Sequence, residues 1–291
     1  MERPLIQCPR KNASDVRIVS SDRYKPVWRF GMKDCFWEEE KEVIMAIKVK
    51  LIASTTSTND EIKKAIDEGK PEGFTIRALR QTAGRGRNGH TWTSPAGSLY
   101  ISTLLRPDVP ADQLPSLSLL AGLAVYRMLA SYYEVNGKQI KLKWPNDVMV
   151  TKPINGKLAG ILVEAHGDAL VLGLGLNVNE PQNGESIDPA ASYVTYVANI
   201  KRLDTADFGR EFLEQFYALY ERWLEDGFAP FKDEFNEAML LSGRTIELLD
   251  ALGNSLATGI AQGVDERGYL VLLDEDGSTR AVASGEVRVL H

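Results

Sequence analysis

Residues 158–176 read Leu-Ala-Gly-Ile-Leu-Val-Glu-Ala-His-Gly-Asp-Ala-Leu-Val-Leu-Gly-Leu-Gly-Leu. Leu158–Glu164 and Ala169–Leu176 are short apolar runs parted by Gly167-Asp168, a pair suited to a tight turn. Just upstream, Val148–Val150 is followed by a second turn signal, Asn155-Gly156. Ile140–Trp144 alternates apolar and basic residues before Pro145. Consecutive strands joined by tight turns become neighbours, so the chain predicts a mixed or antiparallel sheet and not a doubly wound parallel one.

Further from this centre, Phe74–Arg80 and Leu99–Leu105 predict two more strands. Ile44–Ile52 predicts another, with Ile47, Val49 and Leu51 alternating against lysines. Leu117–Tyr133, started by Pro115 and Ser116, reads as a helix apolar on most of its surface and therefore buried. Thr58 with Glu61 predicts a capping box for a helix that Gly69 ends. In Thr205–Leu224, Phe208, Phe212, Phe216, Tyr220 and Trp223 recur about one turn apart, a stripe that packs into a core. Pro230–Leu241 continues helically and stops at Gly243. From Arg244 onward short strands alternate with turns at Gly253-Asn254, Arg267-Gly268 and Asp276-Gly277, which suggests a small barrel. The expected organisation is an accessory N-terminal extension (residues 1–45), a large domain (46–242) and a small C-terminal domain (243–291).

A chain of 291 residues can bury a core without staples. Its net charge of −6 argues against a protein held mainly by nucleic-acid phosphate. The two cysteines, Cys8 and Cys35, make no disulfide framework. No apolar segment follows Met1 as a signal peptide would, and no apolar run approaches the roughly 18 residues of a membrane span. A cytoplasmic protein with no membrane partner is the expectation. His90, His166 and His291 are scattered, so no histidine metal site is expected.

Four stretches carry chemistry. Gln81–Trp92 alternates Gly84, Gly86 and Gly89 with Arg85 and Arg87. Glycine permits close backbone approach, and guanidinium forks suit carboxylate and phosphate oxygens, so this loop is suited to closing over an anion. Lys143-Trp144-Pro145-Asn146-Asp147 sets a cation, an amide and a carboxylate at a strand end, aimed by a stiff proline. Lys157 follows the Asn155-Gly156 turn and precedes Ala159 and Gly160, small residues that leave room for a ligand. The hydroxyl-rich stretch Ser54–Asp60 exceeds what helix capping alone needs.

Together these stretches resemble the bacterial biotin–protein ligases. The resemblance covers roughly Ile47–Leu290 and rests on Ser57-Thr58-Asn59, Gln81, Gly84–Gly89, Trp92, Lys143–Asp147, Gly156–Gly160 and Gly173–Asn177. It implies an α+β fold: a mixed seven-stranded sheet with helices, like the class II aminoacyl-tRNA synthetases and biotin synthetases, plus a C-terminal SH3-like small β-barrel. It makes residues 46–242 the catalytic domain that binds biotin and ATP. The family joins biotin to ATP, giving biotinyl-5′-AMP and pyrophosphate, and then passes biotin to a lysine of a biotin carboxyl carrier protein domain. A homodimer joined through the catalytic sheet is a common arrangement among relatives.

The site residues follow from the same resemblance. Ser57, Thr58 and Gln81 match the positions that bind the ureido head of biotin, whose oxygen and N–H groups need both donors and acceptors. Asn59, Gly84, Arg85, Gly86, Arg87, Lys157 and Gly160 complete the biotin site. Arg85, Arg87, Trp92, Lys143, Asn146 and Asn177 are assigned to ATP, with Mg²⁺ screening pyrophosphate. Two anions must meet in the first step, against about 4 kcal/mol for unit charges at 4 Å and an effective dielectric of 20. Arg87, Lys157 and Lys143 are therefore expected to be catalytic cations, and Asp147 to orient or deprotonate the acceptor lysine.

Two departures matter. Asn88 and His90-Thr91 stand where relatives often carry basic residues, which predicts weaker retention of the adenylate. Residues 1–45 show no helix–turn–helix pattern, so DNA binding and repressor activity are not expected. A lipoate–protein ligase or octanoyltransferase of the same fold, and a biotin-responsive DNA-binding regulator, are the alternatives.

Overall fold

The protein is described here by a computed structural model covering residues 48–133, 139–152, 155–181, 190–198 and 200–290. The N-terminal extension, residues 1–45, lies outside the described residues. Seven strands form one sheet: β1 (Lys48–Ile52), β2 (Phe74–Ala78), β3 (Leu99–Leu105), β4 (Gln139–Lys143), β5 (Asp147–Lys152), β6 (Gly156–His166) and β7 (Ala169–Leu176). Their order is β1-β2-β3-β7-β6-β5-β4. Only β1 and β2 run parallel; every other neighbouring pair is antiparallel. The sheet is mixed because Gly167 (φ 60°) lets the chain reverse at once, setting His166 opposite Ala169.

Alternation along each strand feeds two apolar layers. From β7, Leu172, Leu174 and Leu176 enter the larger core with the helices α2 (Leu117–Tyr133) and α4 (Thr205–Asp226). Within α4, Phe212, Phe216, Tyr220 and Trp223 stack successively at 5.5–5.8 Å between ring centroids. Val171 joins a smaller core with Ile76 and Leu104, against Ile62 and Ile66 of α1 (Thr58–Asp67). Two short helices complete this part, α3 (Val194–Ala198) and α5 (Lys232–Ala238). No helix of the described residues is long and apolar enough to cross a membrane.

A second sheet holds β8 (Thr245–Leu249), β9 (Ser255–Val264), β10 (Leu270–Leu273), β11 (Thr279–Val282) and β12 (Glu286–Val289), in the order β11-β10-β9-β8-β12. Its Ile246, Leu248, Leu270, Leu272 and Val287 belong to the same apolar cluster as α2 and α4. Polar links add to this contact: Trp144 donates its indole N–H to Gly268 O at 3.2 Å, and Asn236 Oδ1 accepts Val264 N–H at 2.7 Å.

One local expectation fails. Helix α1 is capped at Ser57, without a side-chain capping bond, so Thr58 lies within the first turn and Glu61 falls outside capping-box register. Glu61 instead pairs with Lys64 and accepts from Thr55 Oγ1. On β1, Val49 and Leu51 are 42% and 55% exposed, because β1 is the sheet's edge and pairs only with β2.

Candidate active site

A cavity of about 320 Å³ opens at the N-terminal end of α1. Its walls come from the first turn of α1, the loop 85–92, the β4–β5 turn, β6, β7 and the start of β12. The floor is polar. Ser57 makes no capping bond, so its hydroxyl is left to the cavity. Gln81 Oε1 accepts both the Thr58 N–H (2.8 Å) and the Thr58 hydroxyl (3.1 Å). Its Nε2 donates to Ser94 Oγ at 2.9 Å.

Other lining residues are cationic. Lys143, Lys157 and Arg87 all line the cavity, together with Asp147. Lys157 Nζ stands 2.7 Å from Asp147 Oδ1, an ion pair outside hydrogen-bond angles, and 5.1 Å from the centre of the Trp92 ring. Arg87 donates to Gly285 O at 3.1 Å. Burial pushes its guanidinium below its ordinary pKa, opposed by the nearby charges of Asp147 and Glu286. Trp92 lies against the β6–β7 face: a Cβ on Gly160 would come within 2.8 Å of the indole, and one on Gly175 within 2.6 Å. These two glycines make a flat bed that no side chain could share with the ring.

The loop itself is a hairpin. Trp92 N–H donates to Gly84 O (2.9 Å), Gly86 N–H to His90 O (2.7 Å) and His90 N–H to Arg87 O (3.0 Å). At its tip Asn88 (φ 52°, ψ 30°) and Gly89 (φ 77°) both take left-handed backbone, the pattern of a two-residue turn. Arg85 anchors one arm, with Nη2 2.7 Å from Asp60 Oδ1 and 3.0 Å from Glu164 Oε2. Burial raises the Glu164 carboxyl, but hydrogen bonds from Lys63, Asn59 and Arg85 outweigh it and hold the group below its ordinary pKa.

Residues 51–179 match the Biotin/lipoate A/B protein ligase family, and residues 241–290 match the Biotin protein ligase C terminal domain. Over 240 residues the chain is 34% identical to the biotin--[acetyl-CoA-carboxylase] ligase of Mycobacterium tuberculosis, spanning 81% of this chain and 87% of that one. This chain belongs to the biotin protein ligase family. The bifunctional ligase/repressor BirA of Bacillus subtilis is 29% identical over 284 residues, or 92% of this ligase and 83% of that protein. Among solved structures, the biotin protein ligase from Aquifex aeolicus in complex with biotin and ATP matches with a TM-score of 0.70. It is 31% identical, over 83% of this chain and 98% of that one.

Most residues singled out from the ligase sequence converge on the cavity: Ser57, Thr58, Asn59, Gln81, Arg85, Gly86, Arg87, Trp92, Lys143, Asn146, Asp147, Lys157 and Gly160. Gly84 and Asn177 do not line it. A Cβ at Gly84 would meet Trp92 O and Ser94 Oγ at 2.5 Å, so this glycine lets the hairpin base close. Asn177 donates to Lys157 O at 3.0 Å and borders a separate small pocket behind Trp92. Asn146 also holds the backbone, donating to Ile161 O at 2.9 Å. Arg85, expected among the cations that face the reactants, is instead matched by two carboxylates.

Sequence reasoning missed four participants. Ser102 and Glu164 sit inside ordinary strands with no local signal. Glu286 and Val287 reach the cavity from the C-terminal sheet, some 200 positions from the loop they face.

Proposed function

We infer that this ligase activates biotin with ATP, forming biotinyl-5′-AMP and pyrophosphate, and then transfers biotin to a lysine of a biotin carboxyl carrier protein domain. One observation carries the reading: a single cavity is lined both by the neutral polar side chains of Ser57, Thr58 and Gln81 and by the cations Arg87, Lys143 and Lys157. A small neutral polar head fits the floor. Its carboxylate tail and a triphosphate both need the cations, since each is anionic and their approach is otherwise opposed.

In this scheme Lys157 lies nearest the biotin carboxylate and the bridging oxygen. Arg87 stabilises charge on the phosphate, and Lys143 contacts the remaining phosphates. Trp92 lies beside the nucleotide, with Asn146 supporting it. Asp147 orients or deprotonates the acceptor lysine once its present partner, Lys157, engages the ligand. Mg²⁺ would be held chiefly by the triphosphate with Asp147 as the nearby carboxylate. Among the described residues no group of three or more His, Cys, Asp or Glu could hold the ion alone. When bound, the metal would supply screening of the leaving pyrophosphate. The exposed Val49 and Leu51 on the sheet edge support a homodimer, which sedimentation velocity would read.

Exchange of labelled pyrophosphate into ATP, with biotin or lipoate supplied, tests the first step. Exchange that requires biotin is expected, and exchange with lipoate alone would overturn the reading. Mass spectrometry of a carrier domain incubated with the ligase, biotin and ATP would then locate the modified lysine.

A further inference from the structure

Three rungs of the β6–β7 ladder lead from the cavity toward α1: Gly160 opposite Gly175, Leu162 opposite Gly173, and Glu164 opposite Val171. The first two rungs line the cavity. Glu164 does not, and Val171 shares the smaller core with Ile62 and Ile66 of α1. Glu164 therefore stands just outside the cavity, where strand, helix and hairpin meet. It takes a donor from the first turn of α1, Asn59 Nδ2 at 2.6 Å, and another from the next turn, Lys63 Nζ at 2.7 Å. A further donor comes from the hairpin: Arg85 Nη2 lies 3.0 Å from Glu164 Oε2 and 2.7 Å from Asp60 Oδ1. The Asn59 amide is held in this sense, because its Oδ1 accepts from Ser102 Oγ at 2.6 Å.

The hairpin is held unequally along its length. At its root the half-buried Arg85 sits between two carboxylates. Nearer the tip, Arg87 donates to Gly285 O at 3.1 Å, and the exposed His90 lies 3.5 Å from Glu286. An exposed pair such as the last contributes little, whereas a guanidinium shared by two partly buried carboxylates is costly to strip of either. Residues 85–88 and 90–92 all line the cavity, so what holds the root also holds its cover.

We propose that Glu164 is a positioning residue for the ligase reaction: through Arg85 it fixes the root of the hairpin and so keeps biotinyl-5′-AMP enclosed between its formation and its transfer. This deepens the biotin reading and rests on it. Glu164 meets no ligand; it keeps closed a cover whose other residues do. The mixed anhydride of the adenylate is open to attack by water, so enclosure decides how much biotin reaches the acceptor lysine.

The test separates retention from chemistry. Adenylate labelled in its biotin is formed on the full chain, and its loss from the protein is timed after a chase of unlabelled biotin and ATP. Biotin-dependent pyrophosphate exchange is measured beside it. Glu164→Ala should speed the loss about tenfold, the effect of removing one partly buried charge-assisted bond. Exchange should fall less than about threefold, because Arg87 keeps its own bond to Gly285 O. Glu164→Gln, which keeps an acceptor oxygen without the charge, should speed the loss about threefold and carries the test if the alanine variant does not fold. Lys63→Met removes the other cation of Glu164 but leaves Arg85, and should retain the adenylate as the unaltered ligase does. Adding Glu164→Gln to Arg85→Ala should change retention no further, since the two side chains act as one unit. Unchanged loss in both Glu164 variants, equal falls in retention and exchange, or effects of Glu164→Gln and Arg85→Ala that multiply would each overturn the inference. Equal escape from Lys63→Met would do the same, by making Glu164 a support of α1 alone. An unaltered ligase that forms no adenylate would instead remove the functional reading beneath it.

Discussion

Arg85 and Arg87 stand two residues apart on one hairpin, yet their surroundings are opposite. Arg85 meets Asp60 and Glu164, and its hydrogen bond to Asp60 holds the guanidinium above its ordinary pKa. Arg87 is half-buried and donates to a neutral carbonyl, with burial pushing its pKa down. The protein matches the first charge with two carboxylates and meets the second with a neutral carbonyl. A cation already answered by carboxylates anchors a loop; one beside a carbonyl would, on the proposed function, be available to an incoming anion.

The largest expected effect falls on the unmatched side. Arg87→Ala and Lys157→Ala should each slow biotin-dependent pyrophosphate exchange by about 10²–10³-fold, the cost of losing a donor aimed at developing charge. Arg85→Ala should behave differently. It leaves Asp60 and Glu164 without their shared cation, so stability should fall by about 1–3 kcal/mol in denaturant melts while exchange loses less than about tenfold. Equal loss of exchange in Arg85→Ala and Arg87→Ala, at unchanged stability, would break the comparison.

Acid should act on the anchored side. Hydrogen bonding to Arg85 chiefly lowers the Asp60 carboxyl from its ordinary 3.8, and Glu164 lies below its ordinary 4.5 for the reasons given above. Because both folded values are depressed, their stabilisation is complete above the ordinary values and fades as pH falls through the folded ones. Glu164→Gln should therefore flatten the decline of Tm between about pH 5 and 3. A slope identical to that of the unaltered chain would mean the network contributes nothing there.

The smallest effect concerns Glu286, which faces Arg87 from the second sheet. Glu286→Gln removes a negative charge from the cavity rim and should lower the KM for ATP about twofold at low salt, with the difference shrinking as salt rises. A rise of KM would place Glu286 among the groups that hold the nucleotide.

Much of the catalytic sheet was legible because its signals are local. The pair Gly167-Asp168 forces an immediate reversal, and the strands on either side had no alternative but to pair. Leu99–Leu105, Leu117–Tyr133 and Ala169–Leu176 fall where apolar patterning placed them. The capping box was misread because Thr58 and Glu61 suit one register, while the Thr58 hydroxyl is engaged by Gln81, 23 positions away. Val49 and Leu51 alternate like buried residues, and only strand order shows that they lie at an edge.

The sequence by itself determined the mixed sheet, the aromatic core of α4, the strand-rich C-terminal segment and most of the polar and charged residues that line the cavity. Tertiary structure alone decided which arginine is neutralised, that Gly84 and Asn177 support the cavity from outside it, and that Glu286 and Val287 belong to it. Backbone periodicity is a property of neighbours in the chain, so it can be read along the chain. Charge pairing and side-chain hydrogen bonding depend on what folding brings within about 3 Å, and residues as remote as Arg87 and Gly285 acquire that relation only in the folded state.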